Sequence, residues 1–363
     1  MLKLFRKPLF RSFSIFIFTI LFIKLIGLTG FPDKVFPKIN LFFSKLLYGF
    51  TADYNKPVGD VFYTVLGIAI LSFIIFVLYL LIKKNYSGFR KQITAVFYFL
   101  SAFYLVFYLI WGFNYYKIRL NDKFDTELES VDELKEMAEM YFARALKYRA
   151  EVKENEKGAF VATISDEELK NEIEKAADMI KDYPEIKFSA YLKPNLKPSN
   201  YSSLASYIGI SGYYNPFTNE GNYNALEPDT RRVFAKLHET AHQFGFADES
   251  EASMIGFLLG MNSENYDLLY ACNFKAMRSL LNRILWFDPA YVKDFVENKY
   301  TYGMKMDREY EIEFDQQYDN ASDDAFALMN EAFLRLNNQE GLKSYGRFVE
   351  LLVGFNRKYR ANP

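Results

Sequence analysis

Two stretches without a charged residue constrain this chain most. Val61–Ile82 and Gln92–Tyr116 each exceed the roughly 20 apolar residues an α-helix needs to cross the hydrocarbon core of a bilayer. Lipid offers backbone groups no hydrogen bonds, so each stretch is predicted to be a transmembrane helix. A third apolar run, interrupted by Lys24, follows a tail carrying Lys3, Arg6, Lys7 and Arg11. It is long for a signal peptide and no small-x-small cleavage site follows. A retained first span is therefore predicted, with Lys24 snorkelling to the far interface. Residues 1–116 thus read as a membrane region in contact with the lipid bilayer, with spans at about 12–29, 61–82 and 92–116. Trp111, Tyr115 and Tyr116 are expected to form an aromatic belt at the end of the last span.

The basic tail and the short turn holding Lys83, Lys84, Arg90 and Lys91 are expected on the cytoplasmic side. Three spans then carry residues 117–363 to the opposite, extracytoplasmic side. Between the first two spans, VFPKINLFFSKLLYGF is amphipathic and aromatic. It reads either as a helix on the membrane surface or as one packed against the spans.

Residues 117–363 have the composition of a soluble domain. Across the whole chain 44 Lys+Arg face 45 Asp+Glu, and without a basic excess nothing points to nucleic acid. The lone cysteine, Cys272, excludes an intrachain disulfide and lies in an apolar helical pattern, as a core residue would. Capping-box patterns at Ser130 and Ser165 open two helices, one to about Val152 and one ending before Pro184. From Ile186 to Ala225 the pattern turns to short alternating runs with Ser, Tyr, Asn and Pro. YIGISGYYNPFTNEGNYNA reads as two strands around a Pro-containing turn. Its last piece, Asn222–Ala225, is a candidate to pair with a peptide substrate. A helix is expected from Asp229 or Thr230 to a stop at Gly245, another from Asp248 to about Met261, and a third over Asn265–Trp286. The remainder reads as helical with a break at Asp319–Ser322.

The chemistry concentrates in Lys236–Ser253, KLHETAHQFGFADESEAS. His238, Glu239 and His242 form an H-E-x-x-H motif. On a helix the two histidines lie one turn apart on one face, a spacing that grips one zinc ion. The chain has two histidines, and both stand in this motif. Two histidines placed at random would meet its spacing, with the glutamate, roughly once in a few thousand such chains. Glu239 is the candidate general base. A Zn2+ ion would acidify a water and polarise a carbonyl, Glu239 passing the proton to the leaving amine. Asp248, Glu249 and Glu251 compete for the third ligand, since a carboxylate is a good zinc donor from any of the three positions. Asp248 matches the metzincin spacing with aspartate in place of the last histidine. An oxyanion donor would have to be a tyrosine or an arginine, for which Tyr345 and Arg347 are candidates.

The three spans ending in LIWGFNYY, then SGYYNPFTNEGNYNA, LHETAHQFGFADESEAS and EGLKSYGRFVELL, resemble the domain of unknown function 3810 family. These are three-span bacterial membrane proteins with an H-E-x-x-H domain. The resemblance implies glutamates at the positions of Glu249 and Glu251, and Asn where this chain has Ser253. It favours Glu251 as the third ligand, by similarity to zinc proteins whose ligand opens a Glu-Ala-Asn helix, with Glu249 next and Asp248 last. The expected fold is an α-helical membrane anchor plus a mainly α (α+β) zincin-like soluble domain with a small sheet next to the H-E-x-x-H helix. The expected function is a zinc metallopeptidase anchored in the bacterial inner (cytoplasmic) membrane, hydrolysing a peptide or protein substrate outside the cytoplasm. His238, His242 and Glu251 would hold the metal. The alternative is a non-catalytic membrane protein with a structural or sensory zinc site. The sequence sets no oligomeric state.

Overall fold

The computed structural model describes residues 7–127, 130–319 and 346–360, with helical fragments at 327–328, 331–332 and 335–336. Helices α1 (Pro8–Gly27), α2 (Phe31–Lys34), α3 (Phe36–Thr51), α4 (Val58–Ile82) and α5 (Tyr86–Ile110) form the N-terminal region. Helices α6 (Val131–Arg149) and α7 (Asp166–Ile180) flank a small hairpin of β1 (Lys153–Glu154) and β2 (Phe160–Val161). Strand β3 (Leu196–Pro198), helix α8 (Ser202–Tyr207) and strands β4 (Gly212–Asn215) and β5 (Glu220–Tyr223) follow. The rest is helical: α9 (Asp229–Gln243), α10 (Glu249–Met261), α11 (Tyr266–Ile284), α12 (Pro289–Asp294), α13 (Tyr302–Tyr318) and α14 (Phe348–Arg360). The architecture is mostly helical with small sheets.

Helices α1, α4 and α5 are long and apolar enough to cross a bilayer. Their side chains face outward, as expected of helices solvated by lipid: in α4 only Gly59, Asp60 and Leu80 are buried. The ends differ from the sequence expectation by a few residues, because Pro8 supplies a first-turn proline and Trp111 leaves helical geometry. Trp111 also departs from the expected lipid-facing belt. It is buried, and its indole Nε1 donates to the His242 carbonyl at 3.4 Å.

Helix α3 turns its polar side inward and its apolar side out. Asn40 Nδ2 donates to Ser189 Oγ (3.2 Å), Ser44 Oγ accepts from Tyr191 N (2.8 Å), and Thr51 Oγ1 donates to the Thr218 carbonyl (2.9 Å). Leu41, Phe42, Leu46 and Phe50 remain exposed, a face suited to lying on a membrane.

The larger sheet has the order β3-β5-β4, with β3 parallel and β4 antiparallel to β5. Side chains alternate between its faces. Tyr213, Asn215, Glu220, Asn222 and Lys197 share one face, which receives the start of α4. A Cβ built on Gly59 would stand 2.9 Å from Asn222 Nδ2, 3.1 Å from Asn215 Nδ2 and 3.2 Å from Glu220 Oε2. Glu220 accepts hydrogen bonds from Val58 N (3.2 Å) and Gly59 N (2.5 Å), where the helix N-terminus favours an anion. It also pairs with buried Lys197 at 2.5 Å, and Lys197 donates to the Thr51 carbonyl at 2.6 Å. Asp60 accepts from Ser199 Oγ (3.1 Å), Asn200 N (2.6 Å) and the Tyr213 hydroxyl (2.5 Å). The opposite face, with Gly212 and Gly221, lies on α9. The sheet is therefore held between the start of a span and the motif helix.

The sequence placed strand pairing with substrate at Asn222–Ala225. That stretch opens in β5, which is central and hydrogen-bonded on both sides, so its backbone groups are spent. The edges of this sheet are β3 and β4, and β4 is the one whose Gly212 lies against Glu239.

Candidate metal centre

Helix α9 carries the motif, and α10 crosses it closely. A Cβ built on Gly256 would stand 3.0 Å from His238 N and 3.1 Å from Leu237 C, and one on Gly260 would meet Leu237 Cδ1 at 3.0 Å and Cys272 Sγ. Glycines one turn apart let the two backbones approach until side chains at the start of α10 reach the histidines. The sharp reversal between the helices uses Gly245 at φ +98°, in the left-handed region that glycine occupies without strain.

Three donors converge. Glu249 Oε2 stands 3.1 Å from His238 Nε2 and 3.5 Å from His242 Nε2. A donor atom of each of the three lies within 4.8 Å of one from both others. The other ring nitrogens are engaged behind the site. His242 Nδ1 lies 2.7 Å from the Phe246 carbonyl, which can only accept, so Nδ1 carries a proton and Nε2 is the nitrogen left for a metal. His238 Nδ1 is 3.2 Å from Ser253 Oγ. Such contacts orient metal-binding imidazoles.

The donor set fits a zinc ion. Two donors about 2.0–2.1 Å from one tetrahedral centre stand about 3.3 Å apart, and the two Glu249–His separations bracket that value. Of the three acidic residues, the structure brings Glu249 to the two histidines, and Glu251, expected first, is not among the converging donors. Asp248 caps α10, its Oδ1 accepting from Ser250 N (3.0 Å) and Glu251 N (3.3 Å). Glu251, two residues beyond Glu249 and so on a different side of the helix, accepts from Leu120 N at 2.6 Å. Leu120 belongs to the segment leaving α5, so Glu251 ties that segment to the site. Lys117 in the same segment donates to the Gly245 carbonyl at 3.2 Å and to Ser189 Oγ. Burial lowers its pKa to about 7 against the opposing pull of Glu251.

Glu239 lies beneath the sheet, against Gly212 and Gly221. It is buried, and its Oε2 has no hydrogen-bond partner. A Cβ on Gly212 would stand 2.8 Å from Glu239 Oε1, and one on Gly221 would stand 3.0 Å from Glu239 Cβ. Both glycines leave room for this side chain. Burial pushes the Glu239 carboxyl up to about 8, with His242 opposing and the Glu249 charge adding. Burial lowers the pKa of His238, against its bond to Glu249. In His242 burial acts the same way, but the Glu249 charge outweighs it and lifts the imidazole to about 9. Burial disfavours the Glu249 carboxylate too, yet His242 and His238 hold it well below the usual range. A cation among these donors would take the place of the imidazole proton and lower the Glu239 value.

Ser253, Gly212 and Gly256 were not singled out from the sequence as parts of the site. Gly256 and Gly260 carry a visible signal, a G-x-x-x-G spacing in an apolar helix. Gly212 and Ser253 carry none without the fold. Of the candidate oxyanion donors, Tyr345 lies outside the described residues, and Arg347 pairs with Glu350 at 3.1 Å at the start of α14. The break expected at Asp319–Ser322 is described only to Asp319, which follows the end of α13.

These features define a largely helical protein with apolar helices and an H-E-x-x-H site seated against them. Residues 35–353 match the family described as protein of unknown function (DUF3810), and the chain belongs to that family. No curated protein and no solved structure matches the chain.

Proposed function

We propose that this protein is a membrane-anchored zinc peptidase of zincin-like type that works outside the cytoplasm. The observation that carries the reading is the Glu249 carboxylate set between two imidazoles at zinc-ligand spacing, beside a buried glutamate with an unused oxygen. When bound, a zinc ion would polarise the scissile carbonyl and acidify the attacking water. Glu239 takes the proton from that water and delivers it to the leaving nitrogen as the C–N bond breaks and the new C–O bond forms. The free edge of β4 offers main-chain groups for an extended substrate. Asn224 N donates to the Ser211 carbonyl at 2.8 Å, which makes 211 and 224 a hydrogen-bonded pair. Alternation along the ladder then turns the N–H and C=O of Gly212 and Tyr214 away from β5.

The structural or sensory zinc site is the weaker reading. A structural zinc takes four protein donors, and among the described residues no fourth His, Cys, Asp or Glu joins the three. A structural site also has no use for a general base next to its first ligand. Orientation rests on Arg11, Lys83, Lys84, Arg90 and Lys91, which stand where α1, α4 and α5 have their cytoplasmic ends under the positive-inside rule.

The test uses the full-length chain purified in detergent, wild type against Glu239→Gln. Mass spectrometry should find about one zinc per chain in both, as the ligand set is untouched. A peptide library should be cut by the wild type alone. Absence of zinc, or equal cleavage by Glu239→Gln, overturns the reading.

A further inference from the structure

We infer that the substrates are polypeptides themselves anchored in the bilayer, cut in the segment next to the membrane. This rests on the peptidase reading and concerns where its substrate comes from.

The first observation is depth. Trp111 directly follows the last residue of α5, and its indole donates to the carbonyl of His242, one of the metal donors. Ile110, the last residue of that span, is buried in one cluster with Trp111 and Ala247. The headgroup layer adds roughly 5–8 Å to each side of the hydrocarbon core. A site in contact with the last turn of a span lies within that layer, and a bond cut there belongs to a chain at the bilayer surface.

The second observation is the path of the free edge. Strand β4 runs toward the membrane. At its far end the Phe217 ring stacks on Phe62 of α4 at 5.0 Å and on Phe103 of α5 at 4.9 Å. Phe62 lies inside α4 and Phe103 two turns before the end of α5, so the hairpin tip sits below the mouth of the spans. At the near end Gly212 lies against the Glu239 carboxylate. The strand's three residue steps cover about 10 Å. A chain paired with this edge has its reactive bond near Gly212, and a few residues along it enters the aromatic surroundings of Phe62, Phe103 and Phe217. The other end of β4 meets a cavity of about 320 Å³ lined in part by Ser211, Glu227 and Arg231. The edge thus runs from an aromatic, uncharged end toward the bilayer to an end beside the charged Glu227 and Arg231, the order of a segment that leaves a membrane.

The experiment places the full-length protein and zinc in liposomes with one fluorogenic library peptide in three forms. One is free in solution, one is joined directly to an apolar transmembrane helix, and one is joined to that helix through a flexible spacer of about 40 residues, which spans roughly 35 Å. An N-acyl phospholipid serves as a non-peptide amide. The directly joined form should be cut roughly tenfold or more faster than the other two peptides. The spacer form controls for mere concentration at the membrane. Equal rates for the directly joined and spacer forms overturn the inference and leave the peptidase reading standing. Cleavage of the lipid amide with no peptide cleaved overturns both, as does a zinc-loaded protein that cuts none of the four.

Discussion

The sharpest consequence of the geometry concerns two glutamates two residues apart. Glu249→Ala removes the carboxylate oxygen that stands 3.1 and 3.5 Å from the two imidazoles. Losing an outer hydrogen-bonding partner of a metal ligand typically weakens metal affinity about 10–100-fold, so losing a donor itself should cost at least about 100-fold. Glu251→Ala instead strands Leu120 N, a buried donor now satisfied at 2.6 Å. That penalty is about 1–3 kcal/mol of stability, and zinc affinity should change only a few-fold, through a looser segment after α5. The assay is chelator competition for zinc on both full-length variants in one detergent, with thermal unfolding of the zinc-loaded and stripped forms. Glu249→Ala should lose zinc and most of the stabilisation that zinc confers. Glu251→Ala should keep both while its Tm falls in either form. A loss of zinc affinity in Glu251→Ala equal to or greater than that in Glu249→Ala would refute the reasoning.

Other sites test the supporting structure. Gly212→Ala places a Cβ 2.8 Å from Glu239 Oε1 and should lower peptide cleavage roughly 10–100-fold by displacing the base, with zinc content measured by mass spectrometry unchanged. Ser253→Ala releases His238 Nδ1 and should weaken zinc about tenfold in the same competition assay.

Much of this was legible in the sequence. The spans were, because a charge-free run of that length has few other destinations. So were the motif helix and its stop at Gly245, but not its cap: Pro228 stands at the N-cap, no side chain caps the helix, and Asp229 and Thr230 bond to Ala162 and Glu311 instead. Which carboxylate meets the two histidines was not legible. Asp248, Glu249 and Glu251 are equivalent as chemistry, and the choice among them depends on how closely α10 approaches α9, which Gly256 and Gly260 set through a tertiary contact. Trp111 reads as a belt residue by position, and only its contact with His242 shows otherwise. A strand was expected at Asn222–Ala225 and is found at Glu220–Tyr223, beside the motif helix, but that it is the central strand depends on the pairing of β3, distant in sequence.

The hydropathy border at residue 116 is not a packing border. Buried Glu220 takes two of its hydrogen bonds from the backbone at the start of α4, and Lys197 gives one to the end of α3. Asp60, itself in α4, closes a loop of bonds with the stretch after β3 and with β4. Removing residues 1–116 would leave Glu220 and Lys197 paired with each other but short of these partners, and would open Ser189, Thr218 and Asn219 as well. Each hydrogen bond to a charged group is worth about 1.5–3 kcal/mol, against a total stability of about 5–15 kcal/mol for a typical fold. The sheet on which Glu239 rests is the element so exposed. The anchor is therefore part of the fold that holds the motif helix, and the site's distance from the membrane is fixed by the same bonds that keep the sheet in place.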